Sequence, residues 1–242
     1  MIQKLRGIVL HHFNYGETSI ILHLYTDQRG RLSIIIPGAR GKRKNKKISL
    51  YHNLSILDLE VYYKESRELQ QIKEAQPVIP LTGLTSDPVK STMALFLAEV
   101  LYRTLKEEEA NPELFSFLEN SLRYFELCEG GTANFHLYVL IHLTRFLGFF
   151  PVNNRQNQDD YFDLRNGCFS SNPPEYSNSL NPPTASLLSQ FINSNLEEAN
   201  SIPLNRKLRN DLLSGLLDFY KIHLSAMGEI RSYAILKEIF DD

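Results

Sequence analysis

Residues 38–47 read GARGKRKNKK, which places Arg40, Lys42, Arg43, Lys44, Lys46 and Lys47 within ten positions and no acidic residue among them. Cations at that density attract polyanions, and a nucleic-acid phosphate backbone is the polyanion they suit best. Such a run also occurs as a solvated loop that serves solubility alone, so its meaning rests on what carries it. It lies between apolar runs at 31–37 and 54–63, which makes it a connection on a folded scaffold rather than a tail.

The whole chain conceals this bias. Its 242 residues hold 26 Lys and Arg against 28 Asp and Glu, a formal net charge of −2. Residues 1–78 carry 13 of the cations but only seven of the acids, a surplus of six, so the remainder carries −8 to reach −2. That asymmetry is the pattern of an anion-binding module joined to a second part, and the length accommodates two cores. The division read from the sequence is an anion-binding domain at 1–78 and a helical domain at 79–242.

Five runs in the first part alternate as strands do, at 5–13, 19–25, 31–37, 54–63 and 69–73. Asn14-Tyr15-Gly16 and Asp27-Gln28-Arg29-Gly30 provide turns, so the first three strands form a meander and the basic segment makes the long crossing to the fourth. Five strands in about eighty residues suit a small closed barrel of the OB type, with an SH3-like barrel as the structural rival. By the period of two, Ile20, Leu22, Leu24, Leu32, Ile34 and Ile36 form the core face. His23, Tyr25, Arg31 and Ser33 then fall on the outer face, where an aromatic ring and a cation on neighbouring strands could stack a base and hold its phosphate. A tyrosine so placed also packs under neighbouring structure in many proteins, and both readings of Tyr25 stand at this point.

Beyond Pro77 and Pro80 the period becomes helical. Asp87-Pro88 and Asn111-Pro112 each pair a capping residue with proline at the first helical position; further helices are expected over about 133–147, from Asn205 to about 224, and over 233–240. The stretch 152–183, rich in Asn, Ser and Pro, reads as an irregular insertion containing a short hairpin closed by Arg165-Asn166-Gly167. The expected fold class is therefore α+β and multidomain: a five-stranded OB-fold barrel, then an all-α domain with this insertion.

The commoner enzyme signatures are missing. The chain has no phosphate-binding Gly-rich loop ending in Lys-Ser or Lys-Thr, no His-Glu-x-x-His and no Gly-x-Ser-x-Gly. His11 and His12 project from opposite faces of a strand, and His136 and His142 are nearly opposite on a helix, so neither pair shares a ligand easily. Cys128 and Cys168 are the only cysteines, and with no signal peptide or apolar span they point to the reducing cytoplasm. No cofactor, metal or membrane contact is expected.

The segments VLHHFNYGETSIILHLYTDQRGRLSIIIPGARGK, ILDLEVYY with ELQQIKEA, and LTRFLGFFPV with YFDLRNGCFS closely resemble the RecO family of bacterial DNA-repair proteins. Tyr15-Gly16-Glu17-Thr18, Thr26, Gly30, Gly38-Ala39-Arg40, Gly148-Phe149 and Pro151 carry the most specific part of the likeness. The resemblance implies an OB-fold, a helical second domain and a non-enzymatic recombination mediator. Such proteins bind single- and double-stranded DNA, anneal complementary strands, recognise the single-strand-binding protein, and act with RecR to load RecA. Many members carry paired Cys-x-x-Cys motifs after the Gly-Phe-x-Pro stretch, a ligand set for zinc that this chain lacks. The alternatives outside the family are an OB-type RNA-binding accessory factor and a protein scaffold.

The family's partner, single-strand-binding protein, ends in an acidic tail with apolar last residues, which calls for a hydrophobic floor rimmed by a cation. Arg103, Arg123 and Arg145, beside large apolar groups including Phe146 and Phe149, are the expected tail-binding residues. The plainer reading pairs these arginines with Glu99, Glu119 or Glu126 at helical spacing.

Overall fold

The computed structural model describes residues 1–40, 49–175 and 178–239. Five strands, β1 (Ile2–Tyr15), β2 (Ser19–Thr26), β3 (Gly30–Ile36), β4 (Ile56–Tyr62) and β5 (Leu69–Pro77), close into a barrel in the order β1-β2-β3-β5-β4. All neighbours are antiparallel except β3 and β5, which run parallel, and β1 closes the ring against β4. This is the OB arrangement, and the SH3-like alternative falls away. Closure pairs every strand on both sides and leaves no free edge.

The alternating residues sort as their period requires. Ile20, Leu22, Leu24, Leu32, Ile34 and Ile36 point inward and meet Leu5, Val9, Leu57, Leu59 and Val61 in one core. The β2–β3 turn depends on Gly30, whose φ of 56° lies in the left-handed region. A side chain there would also strike the backbone carbonyls of Glu107 and Glu109, against which Gly30 is pressed.

Contacts divide the chain into two compact units, one comprising 1–127 with 230–233 and the other 128–229 with 234–242. The barrel's unit therefore includes α1 (Thr82–Ser86), α2 (Pro88–Thr104) and α3 (Pro112–Leu127). Asp87 caps α2 by accepting from the N–H groups of Val89 and Lys90, with Pro88 at the first position; Asn111 accepts from Leu114 N–H at the start of α3. Among the described residues no helix is long and apolar enough to cross a membrane.

The second unit contains α4 (Phe135–Phe146), α5 (Pro182–Asn193), α6 (Leu196–Ser201) and α7 (Arg206–His223); α8 (Ser232–Ile239) ends within it. The hairpin expected around Gly167 is present as β6 (Tyr161–Asp163) and β7 (Cys168–Ser170), with Gly167 at φ 64°. A third strand, β8 (Ser179–Leu180), extends it. Pro182 and Pro183, read from the sequence as the end of an irregular stretch, instead open α5 behind an Asn181 cap.

Candidate nucleic-acid interface

Paired residues in the barrel share a face, so the register gives the outer surface of β1–β3 row by row. From one end to the other it runs Tyr15 opposite Ser19, then Phe13, Ile21 and Ile35, then His11, His23 and Ser33, and last Tyr25 with Arg31. The two ends differ in what they meet.

At the Tyr25 end the surface is closed. Helix α2 lays Tyr102 over it: the Arg31 guanidinium lies 4.3 Å from the Tyr102 ring centre, and His23 and His11 lie 5.4 and 4.8 Å from it. Arg31 Nη1 donates to the carbonyls of Tyr102 and Leu105 at 3.0 Å each, and Arg31 N–H to Glu107 O at 2.8 Å. Tyr25 is only 2% exposed, and burial pushes its phenol up to about 12, against the opposing effect of a hydrogen bond from the Asn111 backbone. The open stacking surface expected of His23, Tyr25 and Arg31 is thus corrected: these side chains seat the helices on the barrel, the alternative that the sequence left standing for Tyr25. Burial, with Arg31 and His11 adding repulsion, lowers His23 to about 4; burial likewise lowers His11, so neither ring supplies charge near neutrality.

At the other end the surface is open. Phe13 is 40% exposed and Tyr15 51% exposed, two aromatic rings on alternate positions of β1. Beside them Arg40 N–H donates to Thr18 O at 2.9 Å, which fixes the start of the cationic segment against the β1–β2 turn. Arg40 is exposed, and Gly38 turns the chain there with φ 67°. Lys42, Arg43, Lys44, Lys46 and Lys47 lie outside the described residues. Two exposed rings joined to a strongly cationic stretch can stack bases while neutralising phosphates. The sequence reading missed Phe13 and Tyr15 because it ranked faces on β2 and β3 only; the alternation His11, Phe13, Tyr15 on β1 carried the signal.

The five residues expected to hold a partner's tail separate into two groups. Arg103 and Arg123 belong to the barrel's unit and are occupied as the plainer reading has it: Arg103 meets Glu99 at 3.5 Å and Arg123 meets Glu119 at 2.6 Å. Glu119 also accepts from Arg6 at 3.0 Å. Glu126 turns elsewhere, taking the Gly83 and Leu84 N–H groups at the start of α1.

Arg145, Phe146 and Phe149 are in the second unit. Phe149 stacks parallel on His223 at 5.0 Å and meets Phe219 and Tyr220 edge-on, and Phe146 is half-buried. Arg145 is exposed and lies instead over Phe150, 4.5 Å from its ring centre. Phe150 adjoins the buried His142, which adjoins Tyr138, so a cation lies at the edge of a cluster of partly buried aromatic rings.

In the insertion, Asp160 gathers the chain around one carboxylate. It accepts from Asn157 N–H at 3.0 Å, Gln156 N–H at 2.9 Å and Ser171 Oγ at 3.1 Å, bonds that hold its pKa down at about 2. The Asn154 side-chain amide accepts from Phe169 N–H and donates to Phe169 O. Among the described residues there is no group of three potential metal ligands.

Comparison with known proteins agrees along the whole chain. Residues 1–81 match the family described as recombination protein O N terminal, and residues 85–229 match recombination protein O C terminal. The chain is 38% identical over 240 residues to the DNA repair protein RecO of Phocaeicola vulgatus, covering 99% of this chain and 100% of that protein. It is 38% identical to the protein of that name from Bacteroides fragilis strain YCH46 and 33% identical to that of Porphyromonas gingivalis, with full coverage on both sides in each case.

Proposed function

The chain belongs to the RecO family of DNA repair proteins, and from that premise we propose that it is a non-enzymatic recombination mediator that binds single-stranded DNA on the open end of its barrel and anneals complementary strands. The observation that carries the reading is the pair of exposed rings, Phe13 and Tyr15, beside Arg40 at the root of the cationic segment. Strands repel each other through their phosphates. A surface that neutralises those charges while leaving Watson–Crick edges free lowers the barrier to pairing, and it needs no bond-making groups. Duplex DNA meets the same cations through its backbone.

The partners follow from the family and from a second feature. Arg145 over Phe150 offers a cation beside apolar surface, the complement of an acidic tail with apolar last residues, so the tail of single-strand-binding protein is assigned there. Joint action with RecR and, through it, loading of RecA in the cytoplasm complete the proposed role.

The deciding experiment is fluorescence anisotropy of a single-stranded oligonucleotide over a range of salt, with RNA of the same sequence as competitor. Affinity that falls steeply with salt, and a competitor no stronger than DNA, support the proposal. Absence of binding contradicts it, and preference for RNA moves the function to RNA.

A further inference from the structure

Annealing requires two strands, and the open end of the barrel accounts for one. At the opposite end of the outer surface lies a cleft of about 430 Å³, lined in part by Arg31 and Ser33 and otherwise by residues to which the sequence reading gave no binding role. It is lined by the β2–β3 turn and by the loop joining β4 to β5, and in OB barrels this second loop is a nucleic-acid contact. β2 is 8 residues long; at about 3.3 Å per residue its ends stand about 23 Å apart. Tyr102 and Arg31 close the surface between them.

The cleft is built rather than incidental. The buried Gln70 side chain staples the β4–β5 loop, accepting from Lys64 N–H at 2.9 Å and donating to the carbonyls of Lys64 and Arg67. The loop is thereby shaped before any ligand arrives. Tyr63, packed on the barrel core, supports the Arg29 guanidinium, whose carbon lies 4.6 Å from the ring centre. Arg29 also lines the cleft, so a base entering there meets a guanidinium held by an aromatic ring, a group on which bases stack. Arg67, exposed on the loop, is placed to take the phosphate.

Charge explains why this would be the weaker site. Arg29, Arg31 and Arg67 are matched by Glu65, Glu68 and Glu108 around the same cleft, so phosphate is not drawn in by net charge as it is at the cationic segment. A strand held chiefly by stacking binds lightly and leaves readily once paired. We propose that the Arg29–Tyr63–Arg67 cleft is a second single-strand site that holds the incoming strand during annealing; the inference rests on the reading of the barrel as a DNA-binding module.

The test uses the full chain, two complementary labelled oligonucleotides and two readouts: affinity for the first strand alone, by anisotropy, and annealing rate, by energy transfer. Arg29→Lys keeps the charge but removes the stacking plane, and Arg67→Gln removes the phosphate contact. Each is expected to leave first-strand affinity within about twofold of the parent, with annealing slowed at least about fivefold. Parental annealing rates in both variants overturn the second site, as does a loss of first-strand affinity in step with annealing. Phe13→Ala, measured alongside, keeps the two readings apart: unchanged first-strand affinity there refutes the open-end platform, whatever the cleft variants show.

Discussion

Arg31 on β3 and Tyr102 on α2 form the joint between barrel and helix: a guanidinium 4.3 Å from a ring centre, with two hydrogen bonds of 3.0 Å to the carbonyls that end the helix. Charged hydrogen bonds contribute about 1.5–3 kcal/mol each when their loss leaves a partner unsatisfied, and the ring contact adds to them. Arg31→Ala is therefore expected to lower stability by about 2 kcal/mol in urea denaturation while changing single-strand affinity less than about twofold. A large loss of affinity in a stable variant would return Arg31 to the DNA surface.

The same joint should respond to pH. His23 titrates near 4 when folded and near 6.5 when unfolded. Above about pH 6.5 neither state is protonated and the group contributes no pH dependence. As pH falls from about 6.5 to 4, the unfolded chain takes up a proton that the folded one refuses, so stability declines through that window. His23→Gln is expected to reduce this slope in thermal melts between pH 7 and 4; an unaltered slope refutes the assignment.

Asp160 is predicted to organise the insertion. Its folded pKa of about 2 lies below the usual unfolded value near 3.9, so its contribution is present above about pH 3.9 and is lost as pH falls toward 2. Asp160→Asn should lower the melting temperature at pH 7. The parent should keep its melting temperature in chelator and contain no stoichiometric zinc by metal analysis, because its only two cysteines, Cys128 and Cys168, cannot make a four-thiolate ligand set. One zinc per chain would contradict this.

Much of the barrel was legible because its signals are local. Alternation in β2 and β3 named six core residues, and Asp87-Pro88 and Asn111-Pro112 marked helix starts to the residue. What escaped depends on neighbours distant in sequence. Tyr25 and Phe13 are both aromatic residues of the outer surface, yet Tyr25 is buried where the Asn111 backbone meets it and Phe13 stays 40% exposed. Likewise Pro182-Pro183 reads equally well as a loop or as a first helical turn until the Asn181 side chain is seen bonding Thr184 N–H. Arg123 and Arg145 look alike on their helices, yet one is held by Glu119 and the other lies over Phe150.

That last difference makes a prediction about the partner. With the full chain and a peptide of the native single-strand-binding protein's tail, Arg145→Ala is expected to weaken binding at least about fivefold, the order of an interfacial hot spot. Arg123→Ala should have little effect, its guanidinium being committed to Glu119. The reverse ranking in a calorimetric titration places the tail on the barrel's unit instead.

The central claim, that bases stack on the open end of the barrel while cations beside it hold phosphate, is tested most directly by the salt dependence of single-strand affinity in two variants. Phe13→Ala with Tyr15→Ala removes stacking worth about 1–3 kcal/mol per base, so affinity should fall with the slope against salt preserved. Replacing Arg40, Lys42, Arg43, Lys44, Lys46 and Lys47 by Gln removes phosphate contacts, each worth about 0.7 in that slope, so the slope itself should flatten by at least about one such step. If both folded variants keep the parental affinity and slope, DNA does not bind at this end of the barrel.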